Sequence, residues 1–243
     1  MKTIILSRKL LRVLLFTLIG LFLAASSTLL YHNIGSGDPP VMSRNEKPKI
    51  IERGPQVNKV ALMVNVDWGQ EHIPKLLEAL AKHNAKATFF ISGRFADKNP
   101  EEVKKIYAAG NEVANHGYSH PHPTQISDEQ NREEIRKTHQ ALEKVTGKGP
   151  RWFAPPYGEY DDRLLNVAKA EGYETVYWTV DSVDWRNPTP EAWLSRVQKG
   201  MVPGALVLMH PTPSTVQALP ALLKYCDEKG WKPVTMTELM TLP

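Results

Sequence analysis

The chain has 243 residues, of which 42% are hydrophobic and 23% are charged, and this ordinary globular composition excludes disorder along its whole length. Its single cysteine, Cys226, excludes an intramolecular disulfide framework and a zinc site built from several thiolates. The first 12 residues hold four of the 30 basic residues. The remaining 26 are balanced by 26 acidic residues, which gives no sign of the basic face that a nucleic-acid-binding module needs.

Residues 1–33 are predicted to be a signal peptide or a membrane anchor. Basic residues up to Arg12 precede an uncharged run, Val13–Tyr31, whose 19 residues approach the length of a membrane-spanning helix. Small residues at Ala24–Ser27 are typical of a cleavage site, whereas the two leucines after them extend the run as an anchor would. Both alternatives place the following chain outside the cytoplasmic membrane. Residues 34–58 are rich in glycine, proline and charge and are predicted to be an extracytoplasmic linker.

Residues 59–243 are predicted to form one domain in which short strands alternate with helices. The predicted strands are Lys59–Val66, Lys86–Ser92, Asn111–His116, Arg151–Ala154, Thr175–Val180, Ala205–Met209 and a last one near Val234. The predicted helices lie near residues 73–81, 100–110, 127–145, 161–172, 190–199 and 215–229. About seven β/α units predict a parallel sheet covered by helices, either an open doubly wound sheet or a closed barrel. In both, reactive groups gather at the carboxyl ends of the strands.

Two histidines follow the third predicted strand at a spacing that suits a metal site. His116 and His120 form an H-x-x-x-H pair, and imidazoles so spaced can chelate one divalent ion. The alternative is that both are surface histidines of a polar loop, and this alternative is favoured for such a pair alone. Asp67, at the end of the first predicted strand, favours the metal site, because a His₂-carboxylate set leaves positions open for water and substrate.

A further histidine, His210, ends the apolar run Ala205–Met209. It is either a core histidine bonded to the backbone or a proton donor that faces the site. Asp184 follows the fifth predicted strand and would orient such a histidine. The alternative for Asp184 is a capped loop beside a packed indole of Trp185.

Five short motifs occur in order along the domain: ALMVNVDWG, HGYSH, FAPPYG, DSVDW and LVLMHP. In this order they resemble the five motifs of polysaccharide deacetylases, the NodB-homology domains of carbohydrate esterase family 4. The resemblance covers about Lys59–Leu242 and is nearest to the sporulation-associated, YlxY-like branch. It implies an α/β fold, an irregular (β/α)7 barrel, preceded here by the N-terminal signal or membrane helix.

The resemblance also implies an activity and a site. Members of the family hydrolyse N-acetyl groups of amino-sugar polymers such as peptidoglycan or chitin-like oligomers, with a bound Zn²⁺ or Co²⁺ ion and a base aspartate that activate water. By residue, the implied metal ligands are Asp67, His116 and His120, the implied acid and its orienting partner are His210 and Asp184, and the implied substrate contacts are Tyr157, Trp185 and Asn65.

Two positions depart from the family pattern. Counted from the start of the first motif, Asn65 stands where the family has its base aspartate, and an amide cannot accept a proton at neutral pH. Counted back from Gly69, Asp67 falls at the base position instead and Trp68 at the metal position, because the two counts differ by one inserted residue. Ala154 stands where the family has an arginine that pairs with the base aspartate. Losing both together avoids an unpaired buried charge, so the two departures are coordinated. Strand alternation puts Asn65 and Asp67 on one side, which favours Asp67 as a metal ligand.

Two hypotheses of function therefore stand. The first is metal-dependent hydrolysis of N-acetyl groups on amino-sugar polymers, with cell-wall peptidoglycan preferred because the chain is predicted to be extracytoplasmic. The second is a catalytically impaired pseudoenzyme that serves as a glycan-binding or scaffold domain. The retained histidines and Asp184 favour the first, whereas Asn65 and Ala154 favour the second. Under both, the partners are an amino-sugar glycan and the membrane of a bacterial cell envelope, the chain is anchored or secreted, and nucleic acid is not a partner.

Overall fold

The computed structural model describes residues 49–241, which form an α/β fold. Its strands are β1 (Ile50–Ile51), β2 (Lys59–Val66), β3 (Thr88–Ile91), β4 (Glu112–Asn115), β5 (Trp152–Phe153), β6 (Glu174–Val176), β7 (Val180–Asp181), β8 (Leu206–Met209) and β9 (Lys232–Val234). Its α-helices are α1 (Ile73–Lys82), α2 (Gly93–Lys98), α3 (Pro100–Ala108), α4 (Asp128–Thr146), α5 (Asp162–Ala170), α6 (Pro190–Gly200), α7 (Pro213–Lys229) and α8 (Met236–Met240). The alternation of strands and helices predicted from the sequence is confirmed.

The predicted signal peptide or anchor at residues 1–33, and most of the predicted linker, lie outside the described residues. Within residues 49–241, none of the helices is both long enough and apolar enough to cross a membrane.

The last part of the predicted linker takes part in the fold. Ile50 and Ile51 form β1, which pairs in parallel with β6, and Arg53 makes a single antiparallel bridge with Ala205. Ile51 also packs against the core on the inner side of the sheet. The ordered structure therefore begins before Lys59, because two adjacent isoleucines extend the edge of the sheet despite the glycines and prolines around them.

Local signals fix several helix starts. Before α4, the Ser127 hydroxyl accepts the Gln130 backbone N–H at 3.2 Å and the Gln130 side chain accepts the Ser127 N–H at 2.8 Å, which together form a capping box. Two helices that were not predicted, α2 and α8, also begin on capping hydroxyls, those of Ser92 and Thr235. At six and five residues they are too short to show a helical period in the sequence.

The strands form one nine-stranded sheet in which every strand pairing is parallel within the described residues. Its order is β1-β6-β5-β4-β3-β2-β8-β7, and β9 pairs with β2 as well. Within residues 49–241 no pairing joins the end strands β1 and β7, so the sheet is a half-barrel. The predicted strand Thr175–Val180 is interrupted into β6 and β7. Because the strands are parallel, their carboxyl ends meet at one edge.

The central strand β2 shows why two predicted site residues share one side. Its even-numbered residues from Val60 to Val66 belong to the core between the sheet and the helices. Ala61 and Met63 belong to the core on the inner face of the half-barrel. Asn65 continues this inner series, and Asp67 follows with the same parity. The strand period of two therefore directs both side chains toward the open end of the half-barrel.

Candidate active site

A cleft of about 440 Å³ opens at the carboxyl ends of the strands. Its wall contains seven of the eight predicted site residues: Asn65, Asp67, His116, His120, Tyr157, Trp185 and His210. The eighth, Asp184, is fully buried and bonded to His210. Trp68, Trp178 and Asp181 also line the cleft. The structure thus brings together all of the residues that the motifs singled out.

One side of the cleft consists of His210 and the carboxylate that fixes it. Asp184 Oδ1 lies 2.7 Å from His210 Nδ1. Its Oδ2 accepts the His210 backbone N–H and the Thr215 hydroxyl, each at 2.6 Å. The Nδ1 atom therefore carries a proton and donates it to the carboxylate, which leaves Nε2 as the ring nitrogen available for chemistry in the cleft. This arrangement favours a proton donor over a core histidine bonded to the backbone.

The histidine pair is held by the loop that follows β4. His116 is 2% exposed, and its Nδ1 lies 2.7 Å from the Ala154 carbonyl oxygen. That nitrogen donates, so Nε2 keeps its lone pair. Glu134 on α4 clamps the loop by accepting two backbone N–H groups and the Ser119 hydroxyl, each at 2.7 Å. The ring centroids of His116 and His120 are consequently 4.9 Å apart.

Burial keeps both of these histidines neutral. Desolvation, together with the charge that His120 would carry, lowers the pKa of His116 to about 3. Desolvation also lowers the pKa of His120, and it outweighs the nearby Asp67 carboxylate, which acts to raise it. A neutral imidazole is the form that offers a lone pair to a metal ion or to a hydrogen-bond donor.

Asn65 brings an unpartnered oxygen to the cleft. The residue is 5% exposed, and its Oδ1 has no hydrogen-bond partner among the described residues. Leaving a buried acceptor unpaired costs about 1–3 kcal/mol. An acceptor of this kind in the wall of a cleft is placed to take a hydrogen bond from water or from a ligand.

Asp67, by contrast, has both carboxylate oxygens bonded. The Ser92 hydroxyl donates to Oδ1 at 2.6 Å, Arg94 Nε donates to the same oxygen at 2.7 Å, and Arg94 Nη2 donates to Oδ2. Burial alone would raise the pKa of Asp67, but these hydrogen bonds and the charge of Arg94 outweigh it and lower the pKa. Asp67 is therefore an anion whose charge is already balanced.

Strained backbone surrounds the cleft. His120, Tyr157 and Val183 have φ values of 57°, 59° and 55°, in the left-handed region that favours glycine. Each such residue costs on the order of 1–3 kcal/mol and persists only where the surrounding structure fixes it. Their shared position at the strand ends is typical of a functional site.

Exposed aromatic rings form the rim of the cleft. Trp68, Tyr157 and Trp185 are 47%, 56% and 50% exposed. Tyr157 stacks on His122 with ring centroids 4.0 Å apart, and Trp68 lies parallel to the His210 ring with centroids 6.2 Å apart. Such rings present flat apolar faces to a ligand, beside the polar groups deeper in the cleft.

A family model described as polysaccharide deacetylase matches residues 53–176. The chain belongs to the polysaccharide deacetylase family. One deacetylase relative, the peptidoglycan-N-acetylglucosamine deacetylase of Bacillus cereus, is 34% identical over 75% of this chain and 69% of its own length. The uncharacterized protein YlxY of Bacillus subtilis is 38% identical over 83% of this chain. This chain covers 64% of the length of YlxY, which is less than two thirds.

Solved structures of the deacetylase family confirm the predicted family and its α/β fold. Wild-type BA3943 from Bacillus anthracis, described as a CE4 family pseudoenzyme, is 41% identical, with a TM-score of 0.79 over 84% of this chain and 73% of that one. A BA3943 mutant described as having restored enzymatic activity is 40% identical, with a TM-score of 0.79 over 84% and 75%.

Deacetylases of this family are generally metal-dependent, and the cleft offers only part of a metal site. The two neutral imidazoles suit a divalent ion such as zinc, and a His₂-carboxylate site needs one anionic ligand more. The predicted third ligand, Asp67, is engaged by Arg94 and Ser92. Across the part of the chain that the structure describes, no group of three or more His, Cys, Asp or Glu side chains is placed to hold a metal ion. As arranged, the donor set does not fit a three-ligand site.

Three residues that shape the cleft were not predicted: Ser92, Arg94 and Thr215. The signal for the first two is present in the sequence, because they follow β3, which pairs with β2 and must end beside Asp67. Polar residues at that strand end therefore belong to the same edge. Thr215 lies in the first turn of α7, where a threonine is also an ordinary surface or capping residue, and its pattern carries no signal.

Proposed function

We propose that this domain binds N-acetylated amino-sugar strands of cell-wall peptidoglycan, as a catalytically impaired member of its family. The observation that carries the proposal is Asn65. The motif resemblance assigns its amide to the position of the family's base, and an amide cannot take a proton from water at neutral pH. Its buried, unpartnered Oδ1 is suited instead to accept a hydrogen bond, such as one from the N–H of an acetamido group.

The rest of the cleft supports a sugar ligand. Its volume of about 440 Å³ is in the range of small-molecule sites. The half-exposed rings of Trp68, Tyr157 and Trp185 offer surfaces for the apolar faces of pyranose rings. Recognition of a sugar needs such faces and a few fixed polar groups, and it does not need a general base.

The relatives support both parts of the proposal. The Bacillus cereus relative is named as a deacetylase of peptidoglycan N-acetylglucosamine, which supports an amino-sugar glycan of the cell wall as the ligand. BA3943 is described as a pseudoenzyme, which supports impaired chemistry in a fold of this kind.

We also propose that the domain works outside the cytoplasmic membrane of a bacterial cell. Residues 1–33 would act as a signal peptide or anchor, and the following linker would hold the domain, which extends to residue 243, near the wall. Peptidoglycan deacetylases, such as the relative from Bacillus cereus, are typically extracytoplasmic, which supports this location.

The binding proposal is tested with N-acetylglucosamine tetramer and its fully deacetylated counterpart. Isothermal titration calorimetry on the full-length chain is expected to give tighter binding of the acetylated tetramer. Asn65→Ala is expected to weaken that binding by about tenfold, the equivalent of one hydrogen bond of about 1.4 kcal/mol. The same substitution at Asn166, an exposed residue of α5, is the control and leaves affinity unchanged. Equal affinity for both tetramers would refute the role of the acetamido group.

A second candidate function, slow hydrolysis of the N-acetyl group, is favoured by the intact pairing of His210 with Asp184. A histidine whose Nδ1 is fixed by a carboxylate can take up a proton at Nε2 and then deliver that proton to a leaving amine. The family resemblance implies Zn²⁺ or Co²⁺ for this reaction, and the donor set of the described residues falls one ligand short of holding such an ion.

The second candidate is tested by acetate release from the acetylated tetramer and from peptidoglycan. The full-length chain is supplied with saturating Zn²⁺ or Co²⁺, and His210→Ala is the control. Release that disappears in His210→Ala supports hydrolysis. Absence of release from a chain that still binds the tetramer supports a binding domain alone.

A further inference from the structure

The Asp67 carboxylate is held by a short segment that follows β3. Ser92 and Arg94 supply all three of its described hydrogen bonds, two to Oδ1 and one to Oδ2. The Asp67 side chain is 12% exposed and that of Arg94 is 51% exposed, so solvent screens the ion pair only in part. A bidentate guanidinium also gives the pair a fixed geometry.

The backbone fixes the position from which Arg94 reaches the carboxylate. The N–H groups of Gly93 and Arg94 donate to the carbonyl oxygens of Gly117 and Tyr118, each at 3.0 Å, so the segment is pinned to the loop that carries the two histidines. A Cβ atom at residue 93 would lie 2.2 Å from the Tyr118 ring, which requires glycine at this close approach. The ion pair is therefore built into the histidine loop.

The hydrogen bonds change what Asp67 can offer to a metal ion. An ionised carboxylate has about four acceptor positions on its two oxygens. Three are used by Ser92 and Arg94, and the guanidinium also neutralises the negative charge that a cation would need. This engagement explains why residues 49–241 show two neutral histidines without a third metal ligand.

The source of this guanidinium differs from the family pattern. The resemblance places an arginine at position 154, where this chain has Ala154, and pairs it with the base aspartate that is here Asn65. In this chain the arginine is Arg94, in the first turn of α2, and it pairs with Asp67. The cleft thus contains an arginine–carboxylate pair whose arginine comes from a different element than the family pattern implies.

We infer that Arg94 is a positioning residue that occupies the Asp67 carboxylate and thereby keeps the two histidines one ligand short of a metal site. The inference rests on the proposed function, because it describes how the metal half of a deacetylase site is switched off in a chain that retains both histidines. Arg94 acts on Asp67 and has no proposed contact with the glycan.

The test measures Zn²⁺ affinity of the full-length chain by competition with a chromophoric chelator. Arg94→Met keeps the length of the side chain and removes its charge and donors. It is expected to tighten Zn²⁺ binding by at least about tenfold, or about 1.4 kcal/mol, because it frees the anionic third ligand of a His₂-carboxylate site. The control, Arg136→Met, breaks an exposed arginine–carboxylate pair with Glu171 and leaves Zn²⁺ affinity unchanged. Unchanged affinity in Arg94→Met would overturn the inference.

Asp67→Asn gives a second, independent measurement that holds even where Arg94→Met does not fold. In the wild-type background it is expected to change Zn²⁺ affinity by less than about twofold, because Asp67 is not available there. In the Arg94→Met background it is expected to abolish the tenfold gain. A large loss from Asp67→Asn in the wild-type background would show that Asp67 already serves as a ligand and would overturn the inference. Glycan binding is measured separately, by titration of the wild-type chain and Asn65→Ala. A failure of the glycan proposal is therefore distinguishable from a failure of the inference about Arg94.

Discussion

The two sides of the cleft differ in how closely their residues match a hydrolytic site. On the acid side, His210 rests on a buried carboxylate that accepts three hydrogen bonds. On the opposite side, Asn65 has an orphaned oxygen and Asp67 is engaged by Arg94. A hydrolase needs an acid and a base in the same cycle, whereas a binding site needs neither. The fold and the His210–Asp184 pairing are therefore compatible with an opposite side that does not have the arrangement of a hydrolase.

The largest expected effect comes from breaking the acid side at its centre. Asp184→Ala removes the acceptor of three hydrogen bonds from a fully buried position, and it is expected to lower the free energy of unfolding by about 3–5 kcal/mol. Urea denaturation followed by tryptophan fluorescence measures the change. Asp162→Ala, on the exposed first turn of α5, is the control and is expected to change stability by less than about 0.5 kcal/mol. Similar changes in the free energy of unfolding for the two variants would show that the hydrogen bonds of Asp184 do not stabilise the fold.

Burial of the histidine pair makes the stability of the fold depend on pH. The folded pKa of His116 is about 3, below its ordinary value of 6.5, so the unfolded chain binds more protons between these values. Stability contributed by neutral His116 is therefore complete above pH 6.5 and is lost progressively as the pH falls toward 3. Denaturation measured across this window is expected to show a smaller loss in His116→Gln than in the wild-type chain. His83→Gln, outside the cleft, is the control, and an unchanged pH profile in His116→Gln would contradict the account.

The smallest expected effect concerns the aromatic rim, whose rings lie around both the acid side and the opposite side of the cleft. Trp68→Ala is expected to weaken binding of N-acetylglucosamine tetramer by about five- to tenfold, the equivalent of 1–1.4 kcal/mol, because the exposed indole offers a face to a sugar. Stability is expected to change little, since the ring is 47% exposed. Tyr107→Ala removes a ring that is 40% exposed and lies away from the cleft, and it is expected to leave binding unchanged. Equal losses in both variants would remove Trp68 from the binding surface.

Much of the site follows from the sequence because strands impose simple geometry. The period of two along β2 places Asn65 and Asp67 on one side, and parallel strands bring separate motifs to one edge. The Arg94 pairing does not follow from such a rule, because a long flexible side chain can reach several partners. The backbone contact between the first turn of α2 and the histidine loop places Arg94 beside Asp67. The edge strand β1 was missed because two residues carry no periodic signal.

The central claim, that the base side is disabled and the acid side is kept, is tested most directly by acetate release from peptidoglycan at saturating Zn²⁺. The wild-type chain is compared with Asn65→Asp/Ala154→Arg/Arg94→Met, which restores both residues of the family pattern and frees the Asp67 carboxylate, and with His210→Ala. The account predicts release at least about 100-fold faster in the triple variant than in the wild-type chain, the lower end of what a general base contributes. Wild-type release as fast as that of the triple variant, and lost in His210→Ala, would contradict the account.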